Sequence, residues 1–447
     1  MVSVAPKSDD VRHLSGVDSL MKTIDAPLHD LVAWLLVCGC SFLNLAKFLV
    51  EKDTVGLDPL VLAKLGLIGM GGLYGLYGVF SRPRVRQLLT SFPVAWVLLL
   101  AMFYFIAIPF SASAQNSLVS SCSIIAVLLM MVTALDHLGV MKVVEAMFGG
   151  MALFVFGSWF TYLFFPSIGV LVEPVGNGEF AYRMSGLAHA NTLGQYSGLT
   201  FVLAVILFFS YQKRNVFIAI IGILALAALI NSFSRTSLMA CALALFAAYR
   251  HTYLRKEFLA GFLLLSIVGL LSLLILSTQV DLVDKIVSKL ELLSKSEGTE
   301  ELTTATGRSE IWAFAITLIQ ERPVTGYGAA TQKLYFEEFS YYTHNMLLNI
   351  AFSAGIFAGI AAILMILGRL RALMVDRNPL SDAIVVFILV NGLFENVIFS
   401  ILAGLPTMLW ILALAWPLLQ DDPAVSQMSQ SKVEPEKFSR CLRLEGS

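Results

Sequence analysis

The sequence predicts an all-α, polytopic membrane protein of about twelve transmembrane helices, with one large loop containing short helices. Three observations carry that prediction. Of 447 residues, 57% are hydrophobic and only 14% are charged, and the mean hydropathy is +0.80; such a chain has too few polar residues to cover a soluble surface of this size. Apolar runs approaching the ~20 residues needed to cross hydrocarbon recur along it. Lysine and arginine are shared unevenly among the connections between those runs, as a fixed orientation in a bilayer requires.

The apolar runs fall at about 28–48, 59–80, 92–110, 117–135, 143–165, 190–210, 215–232, 236–249, 258–279, 345–368, 381–399 and 401–419. The eighth is short for a span and is expected to be tilted, re-entrant or packed inside the bundle. Residues 1–27 are polar and lack the apolar core and small-residue cleavage site of a secretory signal, so the first span is expected to serve as an uncleaved signal. The division is then a cytoplasmic segment 1–27, a membrane domain 28–419 and a tail 420–447 whose composition reads as disordered. With the N-terminus inside, inner connections carry Arg82, Arg84, Arg86, Lys142, Lys213, Arg214, Arg250, Arg255, Lys256, Arg369, Arg371 and Arg377. The short outer ones carry little beyond Lys52, Arg183 and Arg235. Both termini are thus expected inside, and the long polar stretch 281–344 outside.

Composition excludes several functions. Inner loops are too short for a nucleotide-binding domain, and no phosphate loop, dinucleotide fingerprint or zinc motif occurs. Four of the five cysteines, Cys38, Cys40, Cys122 and Cys241, lie in apolar runs and Cys441 lies in the tail, so neither a disulfide framework nor a metal site is expected. A net charge of -1 gives no reason to expect nucleic acid as a partner.

Chemistry-bearing residues gather on the outer side. The 281–344 stretch holds ten acids against six lysines and arginines, so Arg308 is no part of a diffuse basic patch. Arg308 opens a run to about Arg322, stopped by Pro323, with Ile311, Trp312, Ala315, Leu318 and Ile319 at the spacing of an amphipathic helix. Arg183 lies close to His189 and Asn191, and Arg235 follows Ser234 in a tight turn with little room for a charge unless an anion meets it. His344-Asn345 directly precede the tenth run. Each has an ordinary reading as well: snorkelling for the arginines, and helix capping for His344 and Asn345. Glu395, between Asn391 and Asn396 in the eleventh run, is a functional candidate as an ionisable residue in a span. It equally suits pairing with Arg183 or Arg235.

In order, these motifs resemble a known family. Arg-x-Ser-Gly followed by His189 and Asn191, Ser234-Arg235, Thr306-Gly307-Arg308 with Ile311-Trp312, Pro323-x-x-Gly326-x-Gly328 and His344-Asn345 together are similar to the O-antigen ligase and O-antigen polymerase superfamily, which includes exopolysaccharide polymerases. The resemblance covers about 183–365, and its specificity lies in order and spacing together. It implies a GT-C-like membrane glycosyltransferase of the bacterial inner membrane, working at its periplasmic face. The donor would be a glycan on undecaprenyl pyrophosphate and the acceptor a sugar hydroxyl on a glycan or lipid-linked glycan. Membrane lipids and polysaccharide-export proteins are the other partners implied, and no cofactor. The roles implied for two arginines and one histidine fall on Arg235, Arg308 and His344. Arg183, His189, Asn191, Ser234, Gly307, Trp312, Gly326, Gly328 and Asn345 become substrate-binding candidates, and Glu395 a supporting one.

The residue types suit that chemistry. Guanidinium forks match phosphate oxygens and stabilise charge growing on a leaving pyrophosphate. A neutral histidine removes the acceptor proton, an effect typically of about 10²–10⁴-fold. A single base with direct displacement inverts the anomeric centre, and without an Asp-x-Asp cluster beside these motifs a metal-independent reaction is expected. The 183–191 and 306–328 wording leans towards a polymerase, with a ligase adding the glycan to lipid A–core as the alternative. A lipid-linked glycan transporter, supported by Glu395, Asn391 and Asn396, and an envelope assembly scaffold are the readings of another class.

Overall fold

A computed structural model describes residues 28–43, 59–175, 179–253, 308–336, 342–375, 378–399 and 402–419. The ninth apolar run, Gly307, most of the 281–344 stretch before it, and the tail lie outside the described residues. The described chain is mainly helical. Its helices are α1 Leu28–Phe42, α2 Pro59–Ser81, α3 Pro83–Thr90, α4 Ala95–Ala107, α5 Ala114–Leu138, α6 Val140–Phe164, the short α7 Pro166–Gly169, α8 Ala190–Phe209, α9 Val216–Asn231 and α10 Arg235–Tyr253. After residue 307 come α11 Arg308–Glu321, α12 Gln332–Tyr335, α13 Met346–Ala354, α14 Ile356–Val375, α15 Pro379–Gly392 and α16 Leu405–Leu419.

Among the described residues, α2, α5, α6, α8 and α14 are long and apolar enough to cross a membrane. The pair α3 and α4, with the 3-10 turn Ile108–Phe110, makes a sixth if its 73° bend is counted within one span. Helices α1, α9, α15 and α16 are apolar but shorter. The ninth run lies outside the described residues, and two of the described runs depart from continuous helix for local reasons. The 345–368 run is broken at Gly355, whose φ of +86° suits glycine; a Cβ there would lie 2.1 Å from the Val324 carbonyl oxygen. The 381–399 run stays helical only to Gly392, so Glu395 lies in the irregular segment beyond α15 rather than deep in a span.

The expectation of an all-α chain also fails at one place. Strands β1, Val170–Val175, and β2, Glu179–Met184, form an antiparallel hairpin pairing Leu171 with Arg183 and Glu173 with Ala181. The alternation and the Gly176-Asn177-Gly178 between the strands are hairpin signals, obscured by the apolar run just before them.

Close contact holds the bundle together. Gly75 and Gly78 let α2 meet α5, since a Cβ at either would fall within 2.5 Å of α5 atoms; small residues are how membrane helices approach without a hydrophobic drive. Nearly all of α16 is buried, Trp410 completely. Helix α10, the short eighth run, packs against α15 and α8 and leaves Leu238, Met239, Leu243 and Phe246 exposed. Helix α11 buries Ile311, Ala315, Leu318 and Ile319 with Tyr327, Phe336 and Phe352, the amphipathic stripe expected from the sequence.

Candidate functional site

Four helix starts meet at one end of the bundle. Helix α8 runs away from it and α9 returns, so the turn 232–234 lands beside the N-terminus of α8. Gly194 permits this, because a Cβ there would lie 2.5 Å from the Ser234 Cβ. Phe233 makes the turn at a φ of +49°. Ser234 is buried and donates to Ser237, which donates to the Asn391 side-chain oxygen at 3.3 Å. Arg235 is the first residue of α10 and Arg308 the first of α11.

His344 and its neighbours are fixed by three elements. Asn345 caps α13, accepting from the amides of Leu347 and Leu348 at 3.0 Å each. Its side-chain amide donates to the Leu393 carbonyl at 3.1 Å. Thr343 donates to Asn396 at 2.9 Å, and Asn396 donates onward to Gln332 at 3.0 Å. The Trp312 indole donates to the Thr343 carbonyl at 3.0 Å, tying α11 to the loop. Between these anchors His344 has a φ of +47°, an uncommon conformation for a residue with a side chain and one that persists where its surroundings hold it.

Glu395 joins the pieces. One carboxylate oxygen accepts from Arg308 and from the Asn191 amide, both at 3.1 Å. The other lies 3.2 Å from His344 Nδ1. Burial disfavours the charge of this carboxylate, but the bond to His344 together with the His344, Arg308 and His189 charges outweighs it, and its pKa is lowered. An ionised carboxylate only accepts, so Nδ1 of His344 carries a proton, and Nε2 is the nitrogen that holds the lone pair whenever the ring is neutral. Glu395 thus pairs with Arg308 and His344, not with Arg183 or Arg235 as the sequence suggested.

Arg183 turns inward from β2 and is 9% exposed. It donates through Nε to the Ser232 carbonyl at 2.9 Å, through Nη1 to Glu173 at 2.8 Å and through Nη2 to Asn191 at 2.7 Å. The fork clamps the hairpin, the start of α8 and the turn carrying Arg235. His189 caps α8, its Nδ1 accepting from the Asn191 amide at 3.3 Å, and is half exposed, with Nε2 3.9 Å from Glu173.

The electrostatics single out Arg235. A cation at a helix N-terminus faces the positive end of the peptide dipoles. Arg308 bears this with Glu395 beside it and with Phe394, whose ring centre lies 5.8 Å from the guanidinium carbon. Arg235 is partly buried and makes no hydrogen bond or ion pair with the described residues. The remaining donors of Arg308 likewise have no hydrogen bond there. Two incompletely satisfied guanidiniums at helix N-termini, with a base held nearby by a carboxylate, form an arrangement that attracts an anion and accepts a proton.

Gly326 and Gly328 do other work. Both are buried with positive φ, and Cβ atoms there would strike the 352–355 backbone or Ser111 and Ser117. The amides of Tyr327 and Gly328 donate to the carbonyls of Phe352 and Ser353 at 2.8 and 2.9 Å, satisfying acceptors left open at the break after α13. The Pro323-to-Gly328 strap therefore latches α11 onto that break. Glu173, Gly194, Thr343 and Gln332 were not found from the sequence; of these only Glu173 had a signal, its place across a Gly-Asn-Gly hairpin from Arg183.

Comparison with known proteins points to a family over part of the chain. No curated protein and no solved structure matches the chain. Residues 220–363, from α9 to α14, match the family model Wzy_C, O-Antigen ligase, and this stretch, which carries Arg235, Arg308 and His344, supports a place in an O-antigen ligase and polymerase-like superfamily.

Proposed function

We propose that this protein is a membrane glycosyltransferase that moves a glycan from undecaprenyl pyrophosphate to a sugar hydroxyl, acting as a polysaccharide polymerase with O-antigen ligase as the alternative. The family match supports an O-antigen ligase or polymerase type of function in general. The observation that carries the reading is the shared carboxylate: Glu395 holds Arg308 and His344 together, with Arg235 left open for an anion.

In this reading each group has one task. Arg235 and the free donors of Arg308 bind the pyrophosphate. His344 Nε2 removes the acceptor hydroxyl proton as that oxygen attacks the anomeric carbon. The bond from that carbon to the pyrophosphate oxygen breaks, and its electron pair passes to the leaving group, whose charge the guanidiniums stabilise. Attack opposite the leaving group inverts the centre. Glu395 sets the tautomer of His344 and stabilises the imidazolium it becomes. Arg183, Trp312, Asn191 and Asn345 position these groups. The site faces the periplasm in this reading, with both termini in the cytoplasm.

The transporter reading is less favoured, because Asn396 bonds to Thr343 and Gln332 and Glu395 is bound to Arg308 and His344, in the network beyond α15, while Asn391, in the last turn of α15, accepts from Ser237. The test is purified protein in vesicles with an undecaprenyl pyrophosphate-linked repeat unit. Chain lengthening is the expected result. Transfer only on addition of lipid A–core assigns the ligase, and no transfer to either acceptor overturns the reading.

A further inference from the structure

The β1–β2 hairpin has two unlike faces. Leu171, Glu173, Ala181 and Arg183 point one way, and the last two are buried against the site. Val172, Phe180 and Tyr182 point the other way and are 48%, 60% and 66% exposed. Val172 stands directly across from Tyr182 in the register. No charged residue is among these three.

This outward face continues a surface on α6. Leu153, Phe156, Phe160, Leu163 and Phe164 are exposed at steps of three and four, which places them along one side of the helix. Helix α6 is long and apolar enough to cross a membrane, and an exposed apolar stripe on such a helix suits acyl chains. Phe165 and Ile168 extend it through α7 into the hairpin. Aromatic side chains collected where a span ends are the composition of a membrane–water boundary.

We propose that the outer face of the hairpin is a membrane-interface anchor, seated at the boundary of acyl chains and head groups in the leaflet on the side of the site, with phospholipid as its occupant. The inward face of the same strand carries Arg183, which holds the Ser232 carbonyl. The anchor therefore fixes the height of the Arg235 turn relative to the membrane surface. Where the glycosyl-transfer reading holds, that height is the depth of the donor pyrophosphate.

The experiment adds one tryptophan at a time to the full chain, as Tyr182→Trp, Phe180→Trp or Leu171→Trp. Each is reconstituted in phosphatidylethanolamine–phosphatidylglycerol vesicles whose chains are brominated near the head group or near the chain end. Emission added at 180 and 182 is expected to be blue-shifted, quenched by bromine near the head group and insensitive to aqueous iodide. Emission added at 171 is expected to escape the lipid quencher. Iodide quenching at 180 and 182 overturns the proposal in favour of an aqueous or glycan-facing surface; quenching by neither agent overturns it in favour of a protein cover. Phe180→Asp with Tyr182→Asp is expected to lose transfer in vesicles, whereas Phe180→Leu with Tyr182→Leu retains it. The fluorescence reports depth and not transfer, so a failed anchor and a failed glycosyl-transfer reading give different results.

Discussion

Both ends of the bundle pair arginines with carboxylates, yet the two clusters are built on opposite electrostatic logic. At the end away from the site, Arg250 in the last turn of α10 meets Asp382 in the first turn of α15. It also donates to the carbonyls of Ala247 and Leu373 at 2.8 and 2.7 Å. Arg369 is 1% exposed and donates to Ser381. Here a cation lies at a helix C-terminus and an acid at an N-terminus, so the peptide dipoles favour each charge. At the site end both catalytic candidates are cations at helix N-termini, where the dipoles oppose them. The first arrangement sets each charge against a favourable helix end. In the function proposed above, the second is completed by an anion from outside. A buried arginine alone therefore says little about function; its position on the helix says more.

The contrast can be broken most directly at the site end. Arg235→Ala, Arg308→Ala and His344→Ala are each expected to abolish glycan transfer in the vesicle assay, with a drop of about 10²–10⁴-fold for the base and about 10²–10³-fold for a charge-stabilising donor, while protein in the membrane stays at the wild-type amount. Normal polymer from well-expressed His344→Ala protein would remove the base assignment. Arg308→Lys is expected to recover little, because the ammonium cannot reach both Glu395 and a phosphate in fork geometry.

Glu395→Gln comes next. It is expected to lower kcat more than KM, through loss of the His344 tautomer, and to destabilise the fold by ~1–3 kcal/mol through partners left unpaired. The pH dependence has a definite sign. The lowered pKa of Glu395 gives stability present above the ordinary carboxyl range and lost as pH falls through the lowered value. The Tm gap between wild type and Glu395→Gln should be full near neutral pH and close in strong acid; a gap that widens in acid contradicts the pairing.

Smaller effects sharpen the comparison. Arg183→Ala is expected to reduce transfer by loosening the Arg235 turn, with Arg183→Lys intermediate; if Arg183→Ala raises only KM for the donor, with kcat and Tm unchanged, the residue contacts substrate instead of clamping the turn. Asp382→Asn at the far end is expected to cost ~1–3 kcal/mol in stability and to leave kcat of the folded protein unchanged, measured by denaturation and by transfer on the same samples.

The sequence carried much of the site because its motifs are local. Arg308 opens an amphipathic helix, and its stripe of Ile311, Ala315, Leu318 and Ile319 follows from period alone. Asn345 announced itself as a cap. Glu395 shows where that reasoning stopped. It lies in an apolar run with no periodic cue for where the helix ends, so its place beyond Gly392, and its charge partners His344 and Arg308, 51 and 87 residues away, could not be read from neighbours. The glycines of the Pro323 strap were legible as turns but not as a latch, since the carbonyls they satisfy belong to α13.

What the sequence determined by itself was the membrane-spanning helical class and the family resemblance, and it singled out Arg235, Arg308 and His344 as candidates. All of these rest on hydropathy, charge placement and short-range spacing. Only the tertiary structure decided which charges neutralise one another. It paired Arg183 with Glu173 and Arg308 with Glu395, and placed Arg235 at a helix start with no hydrogen bond or ion pair among the described residues. Charge pairing depends on distances of a few ångströms between segments far apart in the chain, a quantity that only their packing fixes.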